Sequence, residues 1–343
     1  MHNILDPAIL FFVFGVLAGA VRSNLEIPPA ISRFLSLYLL MALGLKGGFA
    51  LSHSGLTATV GLSLGAAVTL ALCIPLIGYA VLRRFVSGFD AAAVAATYGS
   101  VSAVTFVTAV QYLENQQIAY GGHMAAAMAL MESPAIIMAI VFANRLRQSP
   151  VAVQASGAAS TALLATAGGV VSGKPDGRPS VSIRKILHES FTDGAQLLLL
   201  GAMVVGLITG DAGKAAMQPF SGDLFKGMLS FFLLDMGLMA ARNIMQMRGK
   251  SPVLVAYAVL GPLLHATLAL GLSALLHLPV GDAALLMVLA ASASYIAVPA
   301  VLRYAMPEAT PSLYFGLSLG VTFPLNILFG IPLYVAVARS VLS

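Results

Sequence analysis

The chain has 343 residues, of which 59% are hydrophobic and only 9% are charged, and its formal net charge is +5. A soluble domain carries about a quarter charged residues, because water must wet its surface. The composition therefore excludes an ordinary soluble protein, and in a membrane protein the excess positive charge marks loops rather than a nucleic-acid surface. The single cysteine, Cys73, lies in an apolar run, which favours a buried structural thiol and excludes an intrachain disulfide.

Long apolar runs follow one another along the chain, and each is near the length that a helix needs to cross a bilayer. They predict ten transmembrane helices, at 7–22, 29–50, 57–82, 89–113, 122–144, 190–209, 218–241, 251–277, 281–305 and 312–338. Residues 145–189 are polar and rich in Ser and Gly, which predicts a flexible loop. The predicted units are a first five-helix repeat at 1–144, a linker at 145–189 and a second five-helix repeat at 190–343.

The basic residues fall unevenly on the two sides of these ten spans. Of the 18 lysines and arginines, fourteen lie on the side of the loops that follow spans one, three, five, seven and nine, and four lie opposite. The positive-inside rule then places the 145–189 loop in the cytoplasm and both termini outside. Lys46 belongs to the sparse outer side, where a snorkelling side chain is its simplest interpretation.

With five spans in each half, the second half enters the membrane from the opposite side, so any duplication is an inverted repeat. Residues 89–115 and 281–307 align without a gap, and the alignment pairs Asp90 with Asp282, Ser100 with Ser292, Ser102 with Ser294 and Tyr112 with Tyr304. Gly44-Leu45 likewise aligns with Gly237-Leu238. Asp90 and Asp282 each begin a span, where an N-terminal cap is the expected role.

Spans four and nine contain the duplicated pattern Ser-x-Ser, at Ser100 to Ser102 and at Ser292 to Ser294. Small hydroxyl residues beside Gly or Pro favour a break in the helix near the bilayer midplane. Free N–H groups at such a break favour an anion, whereas carbonyl and hydroxyl oxygens favour Na⁺. Two crossing breaks would form one site for both ions. The alternative is that the hydroxyls bond to the preceding helical turn or assist helix packing.

Three further polar residues lie inside the spans, where they are costly unless they have a partner or a function: Glu132, Asp235 and Asn326. Each is either a Na⁺ ligand or an interhelical hydrogen-bond partner. No H-E-x-x-H motif and no Walker motif occurs in the sequence, so an enzyme or an ATP-driven pump is not indicated.

Several stretches resemble the bacterial and cyanobacterial sodium-dependent bicarbonate transporters of the SbtA type, over nearly the whole chain. They are Leu5-Asp-Pro-Ala-Ile-Leu10, Leu43-Gly-Leu-Lys-Gly-Gly48, Tyr98-Gly-Ser-Val-Ser-Ala-Val-Thr-Phe-Val-Thr108 and Ala293-Ser-Tyr-Ile-Ala-Val-Pro299. The resemblance implies an all-α polytopic protein of the bacterial inner (plasma) membrane, with two inverted five-helix repeats and crossed discontinuous helices at spans four and nine. It implies Na⁺/HCO₃⁻ symport by an elevator-type movement of a core domain against a gate domain, each assembled from both repeats. It also implies a homotrimer and a PII-like, adenine-nucleotide-binding regulator on the cytoplasmic face, although the 145–189 loop is the stretch least like the family.

Carried over by position, the resemblance implies bicarbonate-binding residues in both breaks, at Gly99, Ser100, Val101, Ser102, Ala103, Ala291, Ser292, Ala293 and Ser294. Our hypothesis for Na⁺ comprises hydroxyl, carboxylate and amide ligands, at Ser100, Ser102, Thr105, Ser294, Glu132, Asp235 and Asn326. Sodium is the co-transported ion, no cofactor or catalytic residue is expected, and the expected surroundings are lipid rather than nucleic acid.

Other classes remain open from the residues alone. A sodium/proton antiporter should have an adjacent pair of midmembrane carboxylates, and a sodium/organic-anion symporter needs a wider cavity. An intramembrane hydrolase would need a Ser/His or paired-Asp constellation at membrane depth, and a sensor that binds without transport is excluded only by a flux assay.

Overall fold

The computed structural model describes residues 6–55, 57–147, 194–246 and 251–342, and within these ranges the chain is helical and has no strand. The all-α prediction is therefore confirmed for the described residues. The helices in chain order are α1 (Pro7–Ala20), α2 (Pro29–Ser54), α3 (Ala58–Leu82), α4 (Gly88–Gly99), α5 (Ala103–Asn115), α6 (Met124–Arg147), α7 (Gly194–Met217), α8 (Phe225–Gln246), α9 (Pro252–Leu275), α10 (Val280–Ala291), α11 (Ala297–Ala305) and α12 (Pro311–Leu342).

Seven helical segments among the described residues are long and apolar enough to cross a membrane, and α1 and α10 are shorter apolar helices. Large apolar side chains such as Phe11, Phe14 and Ile208 are exposed, as expected for surfaces that face lipid. Cys73 is also exposed, so the expectation of a buried thiol is wrong. Helix α6 continues through Arg147, and nearly all of the linker predicted at 145–189 lies outside the described residues.

Four helices form a group in which α1 packs along α8 and α2 packs along α7; we call it the four-helix group. Its crossings depend on small residues, since a Cβ atom on Gly48 would lie 2.9 Å from the Cα atom of Gly206. The same small-residue contacts occur in both crossings. Where α1 crosses α8, the pairs are Gly15–Gly237 and Gly19–Ala241. Where α7 crosses α2, they are Ala202–Gly44 and Gly206–Gly48. The two crossings are therefore built alike, and they place Gly44 and Gly237 in corresponding positions, as the alignment does.

The remaining helices, α3 to α6 and α9 to α12, form a second group that contains both interrupted spans; we call it the broken-helix group. Asp90 and Asp282 join distant parts of this group, because Asp90 accepts a hydrogen bond from the Thr310 amide (2.8 Å) and Asp282 accepts one from the Gly121 amide (2.5 Å). Neither aspartate is an N-cap: Ser87 caps α4, and Pro279 precedes α10. The expectation of capping is wrong because each carboxylate binds the loop after the other interrupted span.

Polar contacts identify which helix ends lie together. Arg147 pairs with Glu308 (2.7 Å) at the end of the bundle that also carries Arg33, which we call the Arg33 end. Lys46 pairs with Glu114 (3.0 Å) at the opposite end, which we call the Lys46 end. Each pair therefore joins helix ends that are remote in sequence.

Candidate functional site

Both predicted breaks are interruptions of a helix. Helix α4 ends at Gly99, and Ser100 has extended backbone angles (φ −97°, ψ 179°) before α5 begins at Ala103. Helix α10 ends at Ala291, and Ser292 is also extended (φ −84°, ψ 168°) before α11 begins at Ala297. Gly99 is required at the first break, because a Cβ atom there would lie 2.0 Å from Cγ of Pro75 on α3.

The two breaks contact each other through hydrogen bonds. The Ser102 amide donates to Oγ of Ser292 (3.0 Å), and the Ser294 amide donates to the Thr97 carbonyl (2.9 Å). Oγ of Ser292 donates in turn to the Leu289 carbonyl (2.8 Å). The extended segments of α4–α5 and α10–α11 therefore lie against each other in the interior of the broken-helix group.

The second serine of each break accepts a hydrogen bond from the start of the helix that follows, and at the first break Ser102 is the N-cap of α5. Oγ of Ser102 accepts hydrogen bonds from the Thr105 amide (3.2 Å) and the Thr105 hydroxyl (2.9 Å). Oγ of Ser294 accepts a longer one from the Val298 amide (3.4 Å). Ser102 caps α5, whereas α11 begins at Ala297 without a side-chain cap, and the positive end of each helix dipole lies at its break.

A cavity of about 260 Å³ lies between the breaks and the four-helix group. Its polar wall is formed by Ser102, Ser294, Tyr295, Glu132 and Gln196, and the rest of its lining is mostly apolar. A vestibule of about 840 Å³ at the Arg33 end shares Ser36, Ala195, Tyr295 and Ile296 with this cavity. The cavity is thus adjacent to an opening at the Arg33 end.

The structure divides the predicted bicarbonate residues into two sets. Val101, Ser102, Ala103 and Ser294 line the cavity. The others lie within the breaks or the adjoining helix ends without lining it, at Gly99, Ser100, Ala291, Ser292 and Ala293. Oγ of Ser100 is buried and has no hydrogen-bond partner among the described residues.

The predicted Na⁺ ligands are also divided. Glu132 lines the cavity and accepts a hydrogen bond from the side chain of Gln196. Thr105 is fully buried and bonds to Ser102, whereas Asp235 lies in the vestibule and accepts a hydrogen bond from Ser32. Glu132 is therefore the acidic candidate at the breaks.

Asn326 contacts the second break but does not line the cavity. Its Nδ2 donates to the Ala291 carbonyl (2.8 Å) at the C-terminal end of α10, and its Oδ1 accepts from the Tyr334 hydroxyl (2.9 Å). These contacts match the interhelical role that the sequence left open for this residue.

Three cavity residues were not anticipated from the sequence. Tyr295 follows Ser294 directly, and its hydroxyl lies 3.4 Å from Oγ of Ser102. Gln196 and Ser36 belong to the four-helix group, and they line the cavity because this group packs against the broken-helix group. Gln196 stands before a run of four leucines, and an isolated amide in an apolar span is the signal that identifies such a residue.

Over its described residues the chain is helical, with lipid-type surfaces, two contacting helix breaks and a cavity beside them. These features define the class of polytopic membrane transporters. The sequence profile of the Na⁺-dependent bicarbonate transporter superfamily matches residues 7–339, and the chain belongs to this superfamily. The family resemblance inferred from the motifs is thereby confirmed, and membership implies bicarbonate and Na⁺ as substrates. No curated protein matches the chain in sequence.

Proposed function

We propose that the protein is a sodium-coupled bicarbonate symporter that binds both ions at the contacting breaks. The observation that carries this proposal is the position of the cavity, which is lined by the N-terminal ends of α5 and α11. Two positive helix ends favour a monovalent anion between them. Bicarbonate would lie against Val101, Ser102, Ala103 and Ser294, and the other residues of the breaks would hold these in place.

Sodium would bind beside the anion, where its charge offsets the cost of moving bicarbonate out of water. Ser102, Ser294 and Glu132 supply hydroxyl and carboxylate oxygens at the cavity, and Ser100 and Thr105 are the neighbouring hydroxyls. Asp235 and Asn326 stay predictions as Na⁺ ligands, and their contacts with Ser32 and Ala291 favour supporting roles.

The proposed architecture is ten spans in two inverted five-helix repeats, with crossed discontinuous helices at spans four and nine. The duplicated small-residue crossings and the reciprocal contacts of Asp90 and Asp282 support it, because corresponding residues make corresponding contacts. The four-helix group would be the gate domain and the broken-helix group the core domain, each drawn from both repeats. An elevator-type movement of the core against the gate would carry the cavity from one side of the membrane to the other.

The excess of basic residues at the Arg33 end supports a cytoplasmic location for that end and an external location for both termini. In this orientation the vestibule opens to the cytoplasm. We further propose a homotrimer in a bacterial inner membrane and a PII-like regulator at the cytoplasmic face, as the resemblance implies.

The cavity favours a small anion and symport over the alternatives. Its volume of about 260 Å³ is below the ~300–1,000 Å³ typical of sites for larger organic ligands. Glu132 bonds to an amide and Asp235 to a hydroxyl, rather than to each other as an antiporter's carboxylate pair would.

The test is uptake of radiolabelled bicarbonate into proteoliposomes that contain the purified protein. We expect accumulation when a sodium gradient is directed inward, and only background uptake with potassium in place of sodium. Equal uptake with either cation would contradict sodium coupling, and no uptake in the presence of the gradient would contradict bicarbonate as the substrate.

A further inference from the structure

A second cavity lies at the Lys46 end of the bundle, and we call it the lysine basin. It has a volume of about 470 Å³, and its charged lining comprises Lys46, Lys214, Lys226, Glu114 and Asp223. It shares no lining residue with the cavity at the helix breaks. The basin is therefore a separate cavity, at the opposite end of the bundle from the vestibule.

Lys46 lines this basin and forms an ion pair there. Its Nζ lies 3.0 Å from both carboxylate oxygens of Glu114 and 4.0 Å from the ring centroid of Phe225. The Tyr120 hydroxyl also donates to Glu114 (3.0 Å). The side chains of Lys46 and Glu114 are 20% and 31% exposed, so the ammonium group is partly shielded and has a carboxylate partner. Snorkelling, the interpretation from the sequence, leaves this partner out.

The pair joins the two helix groups. Lys46 is on α2 of the four-helix group, and Glu114 is near the end of α5, the helix whose N-terminus lies at the first break. Helix α2 also carries the cavity residue Leu40, which is about 9 Å from Lys46 along the axis at ~1.5 Å per residue. A movement that carries the end of α5 away from α2 would separate Glu114 from Lys46.

We infer that Lys46 is the residue that admits the substrate anion from the lysine basin, and that Glu114 is its counter-ion while this side is closed. This inference rests on the proposed function. When Glu114 moves away with the broken-helix group, the half-buried ammonium group loses its partner, and an unpaired charge at this depth is costly. A monovalent oxyanion such as bicarbonate restores the pairing. The exchange draws the anion to the entrance, and the two helix ends at the breaks then bind that anion.

The test compares the bicarbonate KM from the two sides of the membrane. Uptake into cells measures entry from the basin side in the proposed orientation, and uptake into inverted membrane vesicles measures entry from the vestibule side. For Lys46→Met we expect the basin-side KM to rise about tenfold, as for the loss of one partly buried charge pair, while the vestibule-side KM stays within about twofold. Glu114→Gln keeps the ammonium group, so its basin-side KM should not rise.

Two further variants keep the result interpretable. Lys46→Met combined with Glu114→Gln leaves no unpaired charge, so it avoids the folding cost of a lone carboxylate, and it should show the same raised basin-side KM. Lys214→Met removes a lysine from the same basin at a position for which the described residues give no ion pair, and its KM should change by less than about twofold.

The outcomes separate the two proposals. A wild-type basin-side KM in the double variant would overturn the inference alone. An equal rise of the basin-side KM in Lys214→Met would also overturn it, because the combined positive charge of the basin, and not Lys46 in particular, would then attract the anion. Absence of sodium-driven bicarbonate uptake by the wild-type protein would overturn the proposed function and this inference together.

Discussion

The two helix breaks align in sequence, yet their first serines have different surroundings. In the second break Ser292 is engaged twice, since its Oγ accepts from the Ser102 amide and donates to the Leu289 carbonyl. In the first break the aligned residue is Ser100, which is 1% exposed and whose Oγ has no hydrogen-bond partner among the described residues. The second serines, Ser102 and Ser294, are more alike, because the Oγ of each accepts a hydrogen bond from an amide in the first turn of the following helix.

The difference indicates a division of roles within the duplicated pattern. A buried hydroxyl without a partner costs about 1–3 kcal/mol, and an ion that coordinates it removes that cost. Ser100 is therefore better suited to bind Na⁺ than Ser292, which joins the two breaks. Ser102 and Ser294 face the cavity and suit contact with either ion.

The largest expected effect tests what the breaks have in common. Ser102→Ala and Ser294→Ala each remove a hydroxyl bond to an ion worth ~1.5–3 kcal/mol, and Ser102→Ala also removes the cap of α5, worth about 1 kcal/mol. We therefore expect kcat/KM for bicarbonate to fall roughly tenfold to a thousandfold in each variant, measured as initial uptake into proteoliposomes on a sodium gradient.

The matched control for these variants is Thr267→Ala on α9, since Thr267 is exposed and its hydroxyl bonds only to its own helix at Leu263. Uptake by this variant should match that of the wild type. If Ser102→Ala and Ser294→Ala also transported at the wild-type rate, the breaks would not be the substrate site.

The second effect concerns the charge beside the breaks. Glu132→Gln keeps the shape of the side chain but removes the acidic group at the cavity, so we expect the Na⁺ concentration for half-maximal uptake to rise about tenfold. The bicarbonate KM, measured at saturating Na⁺, should change much less.

Glu308→Gln makes the same chemical change at the Arg33 end, where Glu308 pairs with Arg147. Its sodium dependence should equal that of the wild type. An unchanged sodium dependence in Glu132→Gln would remove Glu132 from the proposed Na⁺ ligands and leave the hydroxyls of the breaks as the candidates.

The positions of both breaks were predictable from sequence, because Ser-x-Ser beside Gly99 in span four and before Pro299 in span nine disfavours a continuous helix. The individual roles were not predictable. Which serine bonds across to the other break depends on how α4 and α10 pack, and the sequence pattern is the same in both. Gln196 and Ser36 were missed for the same reason, since they reach the cavity from the four-helix group.

Charge partners also depended on tertiary structure. Asp90 and Asp282 looked like helix caps because each begins a span, but their partners lie in loops far along the chain, at Thr310 and Gly121. Lys46 looked like an isolated end-of-span lysine for the same reason, because Glu114 is remote in sequence.

A smaller effect separates the two first serines. Ser292→Ala leaves the Ser102 amide and the Leu289 carbonyl without their shared partner. We therefore expect the free energy of unfolding to fall by about 1–3 kcal/mol, with a lower Tm. Ser100→Ala removes no hydrogen bond to the described residues, so its Tm should stay at or above that of the wild type, while the Na⁺ requirement for uptake rises a few-fold. Thermal unfolding in detergent and uptake at graded Na⁺ concentrations measure the two effects. Equal losses of stability in both variants would show that the breaks do not differ in this way.

The smallest expected effect on transport is that of Asn326→Ala, behind the second break. Both polar atoms of the amide have protein partners, the Ala291 carbonyl and the Tyr334 hydroxyl, so the side chain holds the end of α10 in place. We expect a lower Tm, because the buried carbonyl loses its donor, and a Na⁺ requirement within about twofold of the wild type.

Tyr334→Phe is the companion variant, since it removes one hydroxyl from the same chain of contacts and leaves the bond from Asn326 to Ala291 intact. Its Tm should fall less than that of Asn326→Ala, and its sodium dependence should be unchanged. If Asn326→Ala instead kept its Tm and needed as much additional Na⁺ as Glu132→Gln, Asn326 would be a Na⁺ ligand. The second break would then bind the cation as well as join the two helices.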